Sequence, residues 1–410
     1  MSTRVRSFLC AALILAVAVP AAAQIQPRQT LPTGLISQIA LPGGVVTDSR
    51  SVNVAVTLTN RTDQTQSGLT RRTPFAPHWD APAFSVTRDG RELPYHGRMV
   101  KFGPPRAEDY MILAPGESRT VTVNLGEVYD FGLAGAYRVR LDTGVLGTAT
   151  ALPLSQIGQD RGWGGRLASN EIGVAVEARA VRGFVSPSAL ESAGGWEVTA
   201  GGVVYSGCGV VEQTQVDAAL TKACDEATFA TNIAAASLGT PTPWYVTWYG
   251  AYDLTRATTV LGNWGNIGNA LCGTKPDTIV CHGADCSAGD FAYTYPVDHP
   301  NTIYLCDGFW SAGSLGWDSR PGTIIHEMSH LKAGTQDHAY GRDACKTLAT
   351  NDPASAIENA DSYEYFAEDL NNKTKSPALP EGGPAVLFVL LAAAGGVVLI
   401  RSRAPGRRAA

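Results

Sequence analysis

Between residues 24 and 185, apolar and polar positions alternate with a period of two. Val52, Val54, Val56 and Leu58 form one run, Val121, Val123 and Leu125 a second, and Tyr137, Val139 and Leu141 a third. Successive side chains of a strand point to opposite faces, so each run predicts a strand with one buried face. Asp89-Gly90 and Pro115-Gly116 are turn signals between such runs. Residues 186–202 (SPSALESAGGWEVTAGG) are rich in Ser, Gly and Ala and predict a linker. From 203 to 372 the pattern changes. An alanine-rich stretch predicts a long helix near 211–238. YVTWYG (245–250), FAYTYP (291–296) and TIYLC (302–306) predict strands, and helices follow around 320–332, 341–350 and 353–370. Strands and helices segregated in this way predict an α+β domain.

The two ends stand apart from both patterns. Arg4 and Arg6 precede the apolar run FLCAALILAVAV, and Ala21-Ala22-Ala23 follows it, so residues 1–23 predict a signal peptide that carries Cys10 away with it. After a short linker, 373–384, the uncharged run 385–400 (AVLFVLLAAAGGVVLI) leads into a basic tail, 401–410, with Arg401, Arg403, Arg407 and Arg408. Sixteen helical residues span about 24 Å, against a hydrocarbon core of about 30 Å. The expectation is an exported protein, secreted or held at the cell envelope by this segment as a short anchor, or one that loses it as a sorting tail.

Of the 410 residues, 44% are hydrophobic and 17% charged, enough for two cored domains. The formal charge is −5. Setting aside the two arginines of the leader and the four of the tail leaves 26 basic against 37 acidic residues, a net of −11. That argues against nucleic acid as a partner. Seven cysteines remain beyond the leader, all in the second half, which suits disulfides formed in an oxidising compartment. No CxxC pair occurs, which disfavours a cysteine zinc site. In the first half, GAYRV (135–139) resembles the corner tyrosine of immunoglobulin-like sandwiches. No His/Glu/Asp cluster falls there.

The chemistry concentrates in TIIHEMSHLKAGTQDHAYG (323–341). Asp318 or Ser319 can cap a helix here, Pro321 suits its first turn, and Gly334 ends it. Ile324, Met328 and Leu331 form its apolar stripe, leaving His326 and His330 one turn apart on the other side. Two imidazoles at that spacing can share one Zn²⁺, which still needs a third protein ligand. Asp337, His338 and Glu358 are the candidates. Ala333 and Gln336 stand where the histidine-rich metzincin pattern wants Gly and His, so that family is excluded.

HEMSH (326–330) followed by GTQDHAYG (334–341) resembles the aspzincin pattern, HExxH plus GTxxDxxYG. That family includes the deuterolysins and peptidyl-Lys metalloendopeptidases. YSGC (205–208), YVTWYG, FAYTYP, TIYLC and NADSYEYF (359–366) extend the likeness over most of 203–372. The region ahead of it resembles those found before this domain in bacterial relatives. The resemblance implies one Zn²⁺ held by His326, His330 and Asp337, with Glu327 as general base and Tyr340 donating to the oxyanion. Asp361 and Glu364 lie i, i+3 on the last helix, beside its apolar face of Ile357, Ala360, Tyr363, Ala367 and Leu370. They resemble the pair that accepts lysine at P1′. The competing reading is a solvated acidic face extended by Glu368 and Asp369. For disulfides the resemblance suggests Cys208–Cys281 and Cys286–Cys306; Cys224–Cys345 is a further expectation that leaves Cys272 over.

These readings combine into an α+β zincin-like catalytic domain (203–372) preceded by an all-β immunoglobulin-like sandwich (24–185), itself a candidate propeptide. The expected function is zinc-dependent endoproteolysis of peptide and protein substrates with lysine at P1′, by a monomer. FAYTYP is the candidate edge strand for pairing with extended substrate. A surface binding protein on an inactive protease scaffold is the rival from another class.

Overall fold

A computed structural model describes residues 34–146, 149–150, 163–190, 196–198, 202–274 and 276–374. The expected leader 1–23, the apolar segment 385–400 and the basic tail lie outside the described residues. Among those described, no helix is long and apolar enough to cross a membrane.

The first part supplies β1 (Leu35–Ala40), β2 (Asn53–Asn60), β3 (Gln66–Leu69), β4 (Phe84–Arg88), β5 (Arg91–Glu92), β6 (Met99–Lys101), β7 (Tyr110–Leu113), β8 (Ser118–Asn124), β9 (Gly135–Leu146), β10 (Ala149–Thr150) and β11 (Trp163–Val176). Ten of these form three antiparallel sheets ordered β1-β2-β8, β10-β3-β7 and β11-β9-β4-β5. The alternation places Val54, Val56, Val86, Val139 and Tyr137 in one core. The Tyr137 hydroxyl donates to the Leu133 carbonyl four residues upstream at 2.6 Å.

The second part holds β12 (Trp196–Val198), β13 (Val204–Ser206), α1 (Val210–Ala236), α2 (Pro243–Tyr249), α3 (Leu254–Asn269), β14 (Thr278–Cys281), β15 (Ala292–Thr294), β16 (Thr302–Leu305), α4 (Asp307–Ser311), α5 (Arg320–Ala333), α6 (Arg342–Asn351), α7 (Pro353–Ala356) and α8 (Ala360–Thr374). Its mixed sheet runs β12-β13-β14-β16-β15-β6. Leu220, Trp264, Ile324 and Phe366, from α1, α3, α5 and α8, share its main core with Ile279 and Ile303 of the sheet.

Four expectations change. YVTWYG is not a strand but most of α2. Thr242 Oγ1 accepts from Tyr245 N at 3.2 Å, Pro243 opens the helix, and Tyr245, Trp248 and Tyr249 bury one face at i, i+3, i+4. Aromatic and β-branched residues favour strands, but this capped three-residue stripe decides otherwise. The expected linker 186–202 contains β12, which pairs antiparallel with β13 and so belongs to the second sheet. The expected helix 353–370 is two helices, α7 and α8, broken around Asn359.

The cysteines give the fourth correction. Disulfides join Cys208 to Cys281, Cys286 to Cys306, and Cys224 to Cys272. Cys224 therefore pairs with the residue that the sequence reading left over, because α1 packs beside the end of α3. Cys345 stays a buried thiol on α6, engaged by the Asn359 amide at 3.3 Å.

Candidate active site

Helix α5 forms because both its ends are satisfied. Ser319 Oγ accepts from Gly322 N at 3.1 Å, Pro321 sits in the first turn, and Gly334 closes the helix at a left-handed φ of 66°. Glu368 of α8 adds a second cap, accepting from Ser319 N at 2.9 Å and Ser319 Oγ at 2.7 Å. Asp318, the other capping candidate, turns its carboxylate elsewhere. Ile324 and Met328 are buried in the core, as the apolar stripe requires.

His326 and His330 project together from α5, with their Nε2 atoms 3.2 Å apart. Asp337 Oδ1 lies 3.2 Å from one and 3.3 Å from the other. The bend beyond Gly334 is tied down from the α7–α8 break. Gln336 N donates to Glu358 O at 2.6 Å, Ala360 N donates to Gln336 O at 2.9 Å, and Asn359 Oδ1 accepts from His338 N and Ala339 N. Asn359 was passed over in the sequence because a lone amide carries no spacing signal. The other ligand candidates are not brought in: His338 and Glu358 face each other at 3.8 Å instead.

Four-coordinate zinc with bonds of about 2.0–2.1 Å separates its ligand atoms by about 3.3 Å, the size of this triangle. The rings are oriented for it. His330 Nδ1 lies 2.8 Å from the Thr335 carbonyl and His326 Nδ1 lies 2.8 Å from Asp361 Oδ1. The Thr335 carbonyl accepts from His330 Nδ1 and leaves the Nε2 lone pair of that ring facing Asp337, while Asp361 stands within ion-pair range of His326 Nδ1. Both oxygens of Asp337 and both of Glu327 are buried without a hydrogen-bond donor. A buried carboxylate left so is costly unless a cation compensates it, so the donor set fits a divalent metal.

The electrostatics agree. Burial pushes Glu327 up to about 7, against the pull of His326 and His330. Burial acts to raise Asp337 too, but His330 and His326 outweigh it and hold it well below the usual carboxylate range. Burial acts to lower His326, yet Asp337 holds it well above the ordinary imidazole range. The cluster calls for positive charge.

A second acidic group adjoins the first. Asp361 and Glu364 of α8 are buried, and so are Glu368 and Asp369, so this is not a solvated face. Within the pocket sits Lys101 of β6. Its Nζ lies 2.6 Å from Glu364 Oε2, 3.3 Å from Asp318 Oδ1 and 3.7 Å from Asp361 Oδ1. Burial would lower the Lys101 amine, but Glu364, Asp361 and Asp318 together hold it well above the lysine range. The Tyr340 hydroxyl donates to the carbonyl of Val100, the preceding residue, at 2.8 Å. The sequence pointed neither to Lys101 nor to a place in this pocket for Asp318, which it offered only as a helix cap.

Comparison with known proteins places this arrangement. Residues 234–368 match the aspzincin (M35) family, described as lysine-specific metallo-endopeptidase. An extracellular protease of Aeromonas hydrophila is 35% identical over 82% of this chain and 92% of its own length. A peptidyl-Lys metalloendopeptidase of Armillaria mellea is 33% identical over 81% of this chain and 90% of its own. A solved zinc peptidase from Grifola frondosa, 39% identical, covers 41% of this chain and all of that one, with a TM-score of 0.36. Likeness on that scale to named proteases, together with the match across the HExxH helix, shows that the chain belongs to the aspzincin family and is a zinc metalloendopeptidase.

Proposed function

We propose that the chain is an exported endopeptidase that binds one Zn²⁺ through His326, His330 and Asp337 and cuts on the amino side of lysine. The observation that carries this is the triangle of donor atoms 3.2–3.3 Å on a side beside a buried, unpartnered Glu327. Bound zinc would polarise the scissile carbonyl and bring a water toward a neutral pKa. Glu327 would take a proton from the attacking water and pass it to the leaving amine. Tyr340 donates to the oxygen on which charge develops. Asp361, Glu364 and Asp318 receive the P1′ ammonium through charge-assisted contacts. The family description and the names of the fungal relatives support lysine as that residue.

Export rests on the basic start and apolar run of residues 1–23 and on the extracellular relative. Envelope attachment would fall to 385–400. The sheets of the first part support an immunoglobulin-like sandwich, with Tyr137 as its corner residue. A binding protein on an inactive scaffold has no use for a Glu327 kept buried without a partner.

The test is zinc content followed by peptide-library cleavage with product sequencing, using the wild-type chain and Lys101→Ala. One zinc per chain and lysine directly after each cut are expected. A scattered P1′ profile retires the acidic pocket. Bound zinc with no cleavage by either protein retires the hydrolase.

A further inference from the structure

We infer that Asp318 sets the choice of lysine over arginine at P1′. It adds a third carboxylate oxygen to the pair from Asp361 and Glu364, and so matches the three N–H bonds of an ammonium rather than the planar fork of a guanidinium. This rests on the proposed lysine pocket and deepens it.

The Lys101 amine reports the geometry. Its Nζ lies 2.6 Å from Glu364 Oε2, 3.3 Å from Asp318 Oδ1 and 3.7 Å from Asp361 Oδ1. Three residues thus offer one oxygen each to a single nitrogen. An ammonium carries three donors spread around its stem axis. A guanidinium holds five in one plane and pairs best with both oxygens of one carboxylate. Asp361 and Glu364 stand i, i+3 on α8, and alone they form an acidic pair that either cation can use. Asp318 comes from another element, the turn ahead of α5. Its side chain is 46% exposed, against 1% for Asp361 and 0% for Glu364, so it stands at the mouth of the pocket.

Asp318 is held there against its own backbone preference. Its φ of 51° is left-handed, which is uncommon for a residue with a Cβ and persists only where the surroundings over-determine it. Those surroundings are α8. Glu368 Oε2 accepts from Asp318 N at 3.1 Å, and its other oxygen accepts from Ser319 N at 2.9 Å. The Tyr365 hydroxyl donates at 2.6 Å to Asp318 Oδ1, the same oxygen that faces the Lys101 amine. One residue ahead, the Trp317 ring lies 6.1 Å from the Tyr365 ring, and the Arg342 guanidinium stacks over it at 4.5 Å. Gly322 lets α8 come this close, since a Cβ there would collide with Glu368 Oε1. Tyr365 and Glu368 are therefore positioning residues that act through Asp318. This gives a use to Glu368, a buried carboxylate that the proposed reaction leaves idle.

The test uses the zinc-loaded full chain carrying Lys101→Ala, which empties the pocket, and Glu327→Gln, which prevents cutting. Two fluorescein-labelled peptides differ only in one internal residue, lysine or arginine. This parent should bind the lysine peptide at least ten-fold more tightly. Adding Asp318→Asn keeps the shape and tolerates the left-handed backbone. It should weaken lysine binding about ten-fold, the worth of one charge-assisted hydrogen bond, and leave arginine binding and zinc content as they were. Tyr365→Phe should lower the lysine-to-arginine ratio by a smaller factor, again with zinc retained. A ratio that survives Asp318→Asn intact overturns the inference, whether both peptides keep their affinity or lose it equally. A parent that binds the two peptides alike sinks the lysine pocket and this inference with it. Cleavage plays no part in the readout, so loss of the hydrolase reading alone would leave the discrimination by Asp318 standing.

Discussion

Nδ1 of His326 lies 2.8 Å from Oδ1 of Asp361. One carboxylate therefore serves two sites: it orients a ring of the proposed metal triangle and lies 3.7 Å from the Lys101 amine in the acidic pocket. Its other oxygen accepts from Gly341 N at 2.8 Å, which fixes it between the two. Under the proposed function, metal binding and P1′ selection are coupled through this residue.

That coupling gives the first prediction. Asp361→Asn should weaken zinc binding about 10- to 100-fold, the usual cost of losing an outer partner of a ligating histidine, and should also lower lysine preference. Glu364→Gln should lower lysine preference with a smaller change in zinc affinity. Zinc titration against a chromogenic chelator, paired with P1′ profiling, separates the two. Equal zinc loss in both variants would show that Asp361 has no special hold on His326.

The second prediction concerns pH. Burial lifts Glu327 to about 7, and a bound divalent cation acts in the opposite direction. A general base works only when deprotonated, so kcat/KM should fall as pH drops through an apparent pKa at or below about 7. Glu327→Gln should retain zinc and lose about 10³-fold or more in rate. Full activity in that variant would remove the residue from the mechanism.

Stability offers a third. Burial raises Asp290 to about 6 in the folded chain, from an ordinary value of 3.8. A carboxyl raised by folding contributes stability that is complete below the unfolded value and is lost as pH rises through the folded one. Asp290→Asn can keep the bond from Ser287 N, and should therefore gain about 2 kcal/mol at pH 8 and nearly nothing at pH 4. Urea unfolding at the two pH values measures the difference. The same gain at both would mean that the charge is not its source.

A fourth follows from lysine usage. Any self-cleavage of the zinc-loaded chain between residues 34 and 190 should yield a new N-terminus at Lys101 and at no other position, since that stretch contains no second lysine. N-terminal sequencing of the products reads this directly. Cuts beside Arg71, Arg72 or Arg106 would break the claimed preference for lysine over arginine.

Much of the site was legible because it is local. HEMSH on a capped helix with Gly334 behind it specifies two imidazoles one turn apart, and that depends only on helix period and capping. The alternation of residues 52–58 likewise announced a half-buried strand, and β2 occupies it. YVTWYG misled because its residue types favour a strand while its buried aromatics repeat at helical spacing. Cys224 and Cys345 could be matched on paper, but which thiol meets Cys224 depends on how α1 and α3 pack.

By itself the sequence determined the elements whose partners lie within a few turns of chain: the metal helix, the glycine bend, the acidic pair on α8. The family resemblance had implied Asp337 as third ligand, but tertiary structure alone decided that Asn359 holds its bend in place, and that Lys101, more than 250 residues ahead of Glu364, ends in its pocket. Such contacts obey no short-range period. They are set by which surfaces can bury apolar area and neutralise charge together, and that balance exists only once the whole chain has folded.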